Sequence, residues 1–234
     1  MKKLIIFSII YFALISCGKK NDQSLRNPFV NMDTTQKTFL ALGDSYTIGQ
    51  SVAADERFPV QAVQDLKNLH FSFSDPDIIA TTGWTTTNLI NALNNYPPQH
   101  NYSCVTLLIG VNNQYQGKSI DDYKIEFTEL IKRSILYAGN IPHHVFVLSI
   151  PDYSVTPFAK GSDTAKIVQE IDEFNVANKL ISLNAGVHYI DITPISRDAK
   201  SDGSLVAADG LHPSGLQYKK WCELLVPSIE SEIR

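Results

Sequence analysis

A serine hydroxyl attacks a carbonyl carbon only when a base takes its proton, a carboxylate orients that base, and donors hold the oxyanion that forms. One serine in this chain sits where such help could gather. The apolar run 39–42 stops abruptly at Gly43-Asp44-Ser45. A short apolar run bounded by glycine suits a buried strand. A serine just past the end of that strand would lie at the carboxyl edge of a sheet, where open α/β folds bind ligands. The chain carries a version of each partner: Asp209 and His212 near the C-terminus, with Gly83 and Asn112 in between. Gly-Asp-Ser by itself is ordinary turn chemistry, so the functional weight rests on whether those partners converge on Ser45.

The elements that must bring them together follow from the hydrophobic pattern. After the Ser45 strand comes a polar loop, 50–57, then a helix over 58–69 with Pro59 in its first turn. A short strand over 77–80 leads into Thr81-Thr82-Gly83-Trp84, and a helix over 86–95 ends before Pro97-Pro98. Residues 102–109 form an uncharged, β-branched strand that stops at Gly110-Val111-Asn112-Asn113. The helix over 120–137 presents Ile120, Tyr123, Phe127, Leu130, Ile131 and Ile135 on one face. A fourth strand covers 144–150, and a loop over 151–163 carries Tyr153 and Phe158. A long helix over 164–185 stops at Gly186, and a fifth strand covers 187–192. A polar loop then runs to Gly210, and a last helix over 216–229 is interrupted or ended near Pro227. Strand and helix thus alternate five times, which predicts a parallel sheet covered on both faces in a doubly wound topology. In such a sheet the loops after strands one, two, three and five share the carboxyl edge. Those loops hold Ser45, Gly83, Asn112 and the pair Asp209–His212.

These residues resemble the block motifs of the GDSL or SGNH hydrolases, a family of esterases and lipases. The motifs stand here as Gly43-Asp44-Ser45-Tyr46, Gly83, Gly110-Val111-Asn112-Asn113 and Asp209-Gly210-Leu211-His212-Pro213, and the resemblance spans about 38–229. It implies a three-layer α/β/α, flavodoxin-like fold and a carboxylic ester hydrolase that needs no metal or cofactor. Ser45 would be the nucleophile, His212 the base and then the acid, and Asp209 the carboxylate that sets the imidazole tautomer. The Ser45 and Gly83 N–H groups and the Asn112 amide would form the oxyanion hole. The family usually has leucine after the serine, where this chain has Tyr46, and aspartate after the block asparagine, where it has Asn113. The first change points to altered packing; the second leaves the local hydrogen bonding open. Asp44 is expected to support its turn rather than take part in catalysis. Tyr46, Trp84, Tyr115 and Tyr153, with Phe158, are candidates to line an acyl or alcohol pocket, and equally candidates for packing. The same residues also fit an acyltransferase or a polysaccharide deacetylase. A catalytically silent, glycan-binding lipoprotein is the alternative from another class.

Composition narrows the setting. The 234 residues are 44% hydrophobic and 19% charged, room for one substantial core. A formal charge of −4, with no Lys/Arg cluster, argues against nucleic-acid binding. No P-loop signature occurs, and no Gly-x-Ser-x-Gly surrounds Ser45. His143-His144 lacks a carboxylate or cysteine at ligand spacing, and His188 begins a strand, so no metal site is expected.

At the N-terminus Lys2 and Lys3 precede a twelve-residue apolar stretch, too short for the roughly 20 residues that span a bilayer. It fits a secretory signal. Its end, Leu14-Ile15-Ser16-Cys17, resembles the lipobox of bacterial lipoproteins, implying cleavage before a lipidated Cys17 and a cell-envelope location on the periplasmic face or outer surface. Losing Lys2 and Lys3 leaves 18 basic against 24 acidic residues, a formal charge of −6. Three segments are therefore expected: a signal peptide over 1–16, a polar tether over 17–36, and a single domain over 37–234. Export permits a disulfide between Cys104 and Cys222, although their apolar settings favour two buried thiols. Oligomeric state has no signature in the chain.

Overall fold

The computed structural model describes residues 35–98 and 101–234. The expected signal peptide, Cys17 and almost all of the tether lie outside the described residues. Within them, five strands form one sheet: β1 (Phe39–Gly43), β2 (Asp77–Ala80), β3 (Cys104–Leu108), β4 (Val145–Leu148) and β5 (His188–Ile190). Their spatial order is β2-β1-β3-β4-β5, and every pairing is parallel. This is the flavodoxin-like order, whose switch point lies between β1 and β3. The central strands β1, β3 and β4 are buried at every residue, which explains why they read as unbroken apolar runs rather than alternating ones.

Helices cover both faces. α2 (Phe58–Asn68) packs on α8 (Gly215–Ile233), while α3 (Thr86–Asn95), α5 (Ile120–Tyr137) and α6 (Thr164–Asn184) pack in succession. The α2–α8 seam is aromatic: Phe58 lies 6.2 Å from Tyr218 and 6.1 Å from Trp221, and the last two meet edge-on at 4.9 Å. Three short helices sit at strand ends: α1 (Ser45–Ile48), α4 (Val111–Tyr115) and α7 (Thr193–Arg197). None of these had a readable period, because five residues or fewer make barely one turn.

Two expectations are corrected here. The last helix does not stop near Pro227; it continues to Ile233. Proline removes one N–H from the ladder, but Val226, Ile229 and Ile233 are buried around it, and that packing holds the helix together. The segment after β5 is likewise not all loop, since α7 and two 3₁₀ turns occupy it. Cys104 and Cys222 are free and buried. Burial pushes both thiols up, that of Cys222 to about 12, so neither ionises near neutral pH. Among the described residues no helix is long and apolar enough to cross a membrane.

Candidate active site

Ser45 follows β1 through a turn with no spare room. A side chain at Gly43 would meet the Leu108 carbonyl oxygen at 2.4 Å and the Thr47 hydroxyl at 2.1 Å, so β1 and β3 close at this point only because position 43 is glycine. Asp44 then caps α1, its Oδ1 accepting the Tyr46 N–H at 3.0 Å, as the turn chemistry led us to expect. Asp44 is buried, and desolvation pushes its carboxyl up to about 7, although the Tyr46 N–H and the Asn112 amide offset part of that rise. Ser45 takes the first position of α1, where a helix N–H has no intrahelical acceptor.

Asp209 and His212 share one loop, and that loop curls on itself. The Asp209 Oδ1 accepts the N–H groups of Leu211 at 2.9 Å and His212 at 3.0 Å, while Oδ2 meets the His212 Nδ1 at 2.6 Å. Three-residue spacing thus brings both side chains to one side of the turn. Partial burial works against the Asp209 charge. The Ser51 hydroxyl, the imidazole and the two N–H groups outweigh it and hold the carboxyl well below the ordinary range. With Nδ1 engaged, Nε2 is the nitrogen left to face the cleft. The loop is pinned from within by Ala207 N–H on the His212 carbonyl at 2.7 Å and from outside by Phe158 N–H on the Gly210 carbonyl at 2.9 Å.

Gly83 adopts φ +84°, a left-handed conformation that side chains rarely accept, and its N–H has no protein acceptor among the described residues. Asn112, in α4, donates its side-chain amide to the Trp84 carbonyl at 3.0 Å. Ser45, Gly83, Asn112 and His212 all line one cleft of about 120 Å³, together with Tyr46, Thr82, Val111, Tyr115, Tyr153, Phe158 and Leu211. Four chain-distant loops therefore meet at the switch point, as the strand order requires. Among the described residues no hydrogen bond joins Ser45 to His212, whose Nδ1 is taken by Asp209; contacts of this kind are often long or poorly aligned before a substrate binds.

Of the candidate wall residues, Tyr46, Tyr115, Tyr153 and Phe158 line the cleft. Tyr46 is buried with its ring 5.4 Å from the His212 ring, so the departure from leucine supplies an aromatic wall for the imidazole. Tyr115, Tyr153 and Phe158 form a mutual cluster with centroids 5.9–6.2 Å apart, Tyr153 buried and the other two exposed at the mouth. Trp84 does not line the cleft. Its N–H closes a tight turn on the Thr81 carbonyl at 3.2 Å, and its indole packs partly buried against the core.

The other departure, Asn113, is resolved by its neighbours. Its Oδ1 accepts the Thr86 N–H at 3.0 Å and its Nδ2 donates to the Thr86 hydroxyl at 2.7 Å, while that hydroxyl donates to Glu126. An aspartate could not supply the second of these bonds. Sequence reading missed Ser51, whose Oγ donates to Asp209 Oδ2 at 2.6 Å. A lone serine in a polar loop carries no signal of such a contact. It also missed the approach of Glu232 to His143 and His188, which are 44 or more positions away along the chain.

This geometry belongs with a known class. The chain is a member of the GDSL-like lipase/acylhydrolase family, whose profile matches residues 41–220. Solved structures share the fold. A family 3 carbohydrate esterase from Clostridium thermocellum superposes with a TM-score of 0.63 at 21% identity, covering 84% of this chain and 98% of that one. An acetyl xylan esterase from Geobacillus stearothermophilus gives 0.64 at 16% identity, with 85% and 96% covered. A psychrotrophic esterase from a Pseudoalteromonas species, solved with monoethylphosphonate as inhibitor, gives 0.59 at 19% identity, with 83% and 97% covered. No curated protein sequence matches the chain.

Proposed function

We propose that this hydrolase is a serine esterase that cleaves carboxylic esters of small acyl groups through an acyl-enzyme on Ser45. The reading rests on one observation: a histidine clasped by its carboxylate shares a cleft with a serine and with donors from two further loops. His212 Nε2 takes the Ser45 proton as Oγ attacks the acyl carbon. Asp209 keeps Nδ1 protonated and stabilises the imidazolium. The oxyanion is received by the Ser45 and Gly83 N–H groups and the Asn112 amide. Collapse expels the alcohol, which takes its proton from His212, and water activated by the same imidazole then releases the acid.

The cleft is apolar beside the nucleophile and smaller than the roughly 300–1,000 Å³ typical of drug-sized ligands, which favours acetyl or other short chains. A second reading follows from the same feature. Small room for the acyl group, with the exposed rings of Tyr115 and Phe158 at the mouth, suits deacetylation of an acetylated sugar or polysaccharide. The carbohydrate and acetyl xylan esterases among its structural relatives support that variant. The lipobox-like sequence supports lipidation at Cys17 and a cell-envelope location, tested by membrane fractionation of a Cys17→Ala variant.

The deciding experiment is turnover of p-nitrophenyl acetate by Ser45→Ala, expected to fall by about a millionfold with the fold intact by circular dichroism. A fluorophosphonate should label the wild type at Ser45. Full activity in the variant ends the nucleophile assignment, and an unlabelled, folded wild type favours a silent glycan binder.

A further inference from the structure

The turn that follows α1 ties the nucleophile to two of the other three loops of the site. Gly49, Gln50 and Ser51 form it, with φ of +71° at Gly49 and +68° at Ser51. The Gln50 Oε1 accepts the Thr82 hydroxyl at 2.7 Å, beside Gly83, and the Ser51 Oγ donates to Asp209 Oδ2 at 2.6 Å. Of the four donors on Asp209, three come from its own 209–212 loop, and among the described residues Ser51 is the one that comes from elsewhere. A non-glycine residue held at positive φ is a costly conformation, and here it aims a hydroxyl at the oxygen that also receives the imidazole.

We propose that Ser51 is a positioning residue: its hydroxyl fixes the Asp209 carboxylate, and through it the plane of His212 relative to Ser45. This rests on the Ser-His-Asp reading above. Two variants separate positioning from folding. Ser51→Ala removes the hydroxyl and keeps the backbone cost; Ser51→Gly removes the hydroxyl and relieves that cost. Both are expected to lose roughly tenfold in kcat on p-nitrophenyl acetate with KM little changed, the size of one lost hydrogen bond to a charged group. The glycine variant should nevertheless melt higher than the alanine one. Removing the competing donor leaves more of the Oδ2 charge to the imidazole, so the acid limb of kcat/KM should move to higher pH in both. Wild-type kcat in the glycine variant, or an acid limb that stays or falls, overturns the proposal. Fluorophosphonate labelling and turnover of the wild type test the parent reading separately, so an active, labelled wild type with unaffected variants counts against Ser51 alone.

A second and independent observation lies at the opposite, amino-terminal edge of the sheet. His143 precedes β4, His188 opens β5, and Glu232 lies in the last turn of α8. One ligand atom from each lies within 4.8 Å of the others. The His188 ring is stacked flat on Phe146, centroids 4.9 Å apart and planes 9° apart, which fixes its direction. Its Nε2 is buried and stands 3.0 Å from Glu232 Oε1, yet makes no properly directed hydrogen bond. We infer that these three residues form a site for a divalent transition-metal ion such as zinc. Ligand atoms around a tetrahedral zinc stand roughly 3.3 Å apart at metal distances of about 2.0–2.2 Å, so a small rotation of exposed His143 completes the set. Solvent would supply the fourth position.

Calorimetry and thermal melts of the full chain with zinc chloride test this. Micromolar or tighter binding and a zinc-dependent rise in Tm are expected. Both should be lost in Glu232→Gln and weakened at least tenfold in His143→Ala, whose exposed position makes it the safer variant for folding. An equal zinc response in wild type and both variants, or none in the wild type, overturns the site.

Discussion

The side-chain amide of Asn112 donates to the carbonyl oxygen of Trp84 at 3.0 Å, so one proposed oxyanion donor is anchored by the loop that carries another, Gly83. One N–H of the amide fixes its plane. The second is left for a substrate oxyanion, in competition with buried Asp44. Asn112→Ala should therefore reduce kcat by about 10²–10³ with little change in KM, because the interaction matures only in the transition state. Steady-state kinetics on p-nitrophenyl acetate would show it, and a change confined to KM would mean that Asn112 binds ground-state substrate.

Asp209→Asn removes the acceptor that selects the imidazole tautomer. A loss of about 10⁴ in kcat is expected, by analogy with other Ser-His-Asp triads, with unchanged secondary structure. A loss below tenfold would show that the Asp209–His212 contact at 2.6 Å serves the loop rather than the chemistry.

Asp44 gives the chain a pH-dependent stability term. Its carboxyl is raised from 3.8 to about 7 by burial, so the folded state holds this proton where the unfolded chain has lost it. That contribution is complete below about pH 4 and disappears as pH rises through 7, at most about 4 kcal/mol across the window. Asp44→Asn, which keeps an acceptor for the Tyr46 N–H, should gain stability relative to wild type as pH rises from 4 to 7. Chemical denaturation at several pH values would measure the difference, and a constant offset would remove Asp44 from the account.

Trp221 is fully buried at the α2–α8 seam, against Phe58 and Tyr218. Trp221→Ala should cost about 3–5 kcal/mol through lost burial and the cavity left behind. Its residual folded fraction should keep wild-type KM, since the indole lies outside the cleft. Urea titration with parallel kinetics separates the two effects.

How much of this could be read in advance depends on the kind of signal. The five strands were legible because a parallel sheet buries both faces and leaves unbroken apolar runs, as in 104–108. Ser45, Gly83 and Asn112 stood out because each lies just past such a run at a strand's carboxyl end, whereas Asp209 and His212 stood out by their three-residue spacing and the motif they resemble. Contacts between loops were not. Ser51 reaches Asp209 across 158 positions, and no local pattern encodes that. Trp84 beside Gly83 read equally as a wall or a packing residue, and its indole packs against the core. Pro227 read as a helix stop because local propensity cannot weigh the buried residues that carry α8 past it.

The hydrogen bonds through Thr86 have a direction, and that direction couples two positions. The Asn113 amide donates a hydrogen bond to the Thr86 hydroxyl, which donates its own to Glu126, so the hydroxyl serves one acid and one amide. Aspartate at 113 would set two negative groups competing for a single hydrogen. A damaging Asn113→Asp change should therefore be repaired by Glu126→Gln, which restores one donor to the relay. Position 113 is then free to vary only in step with a residue on a different helix.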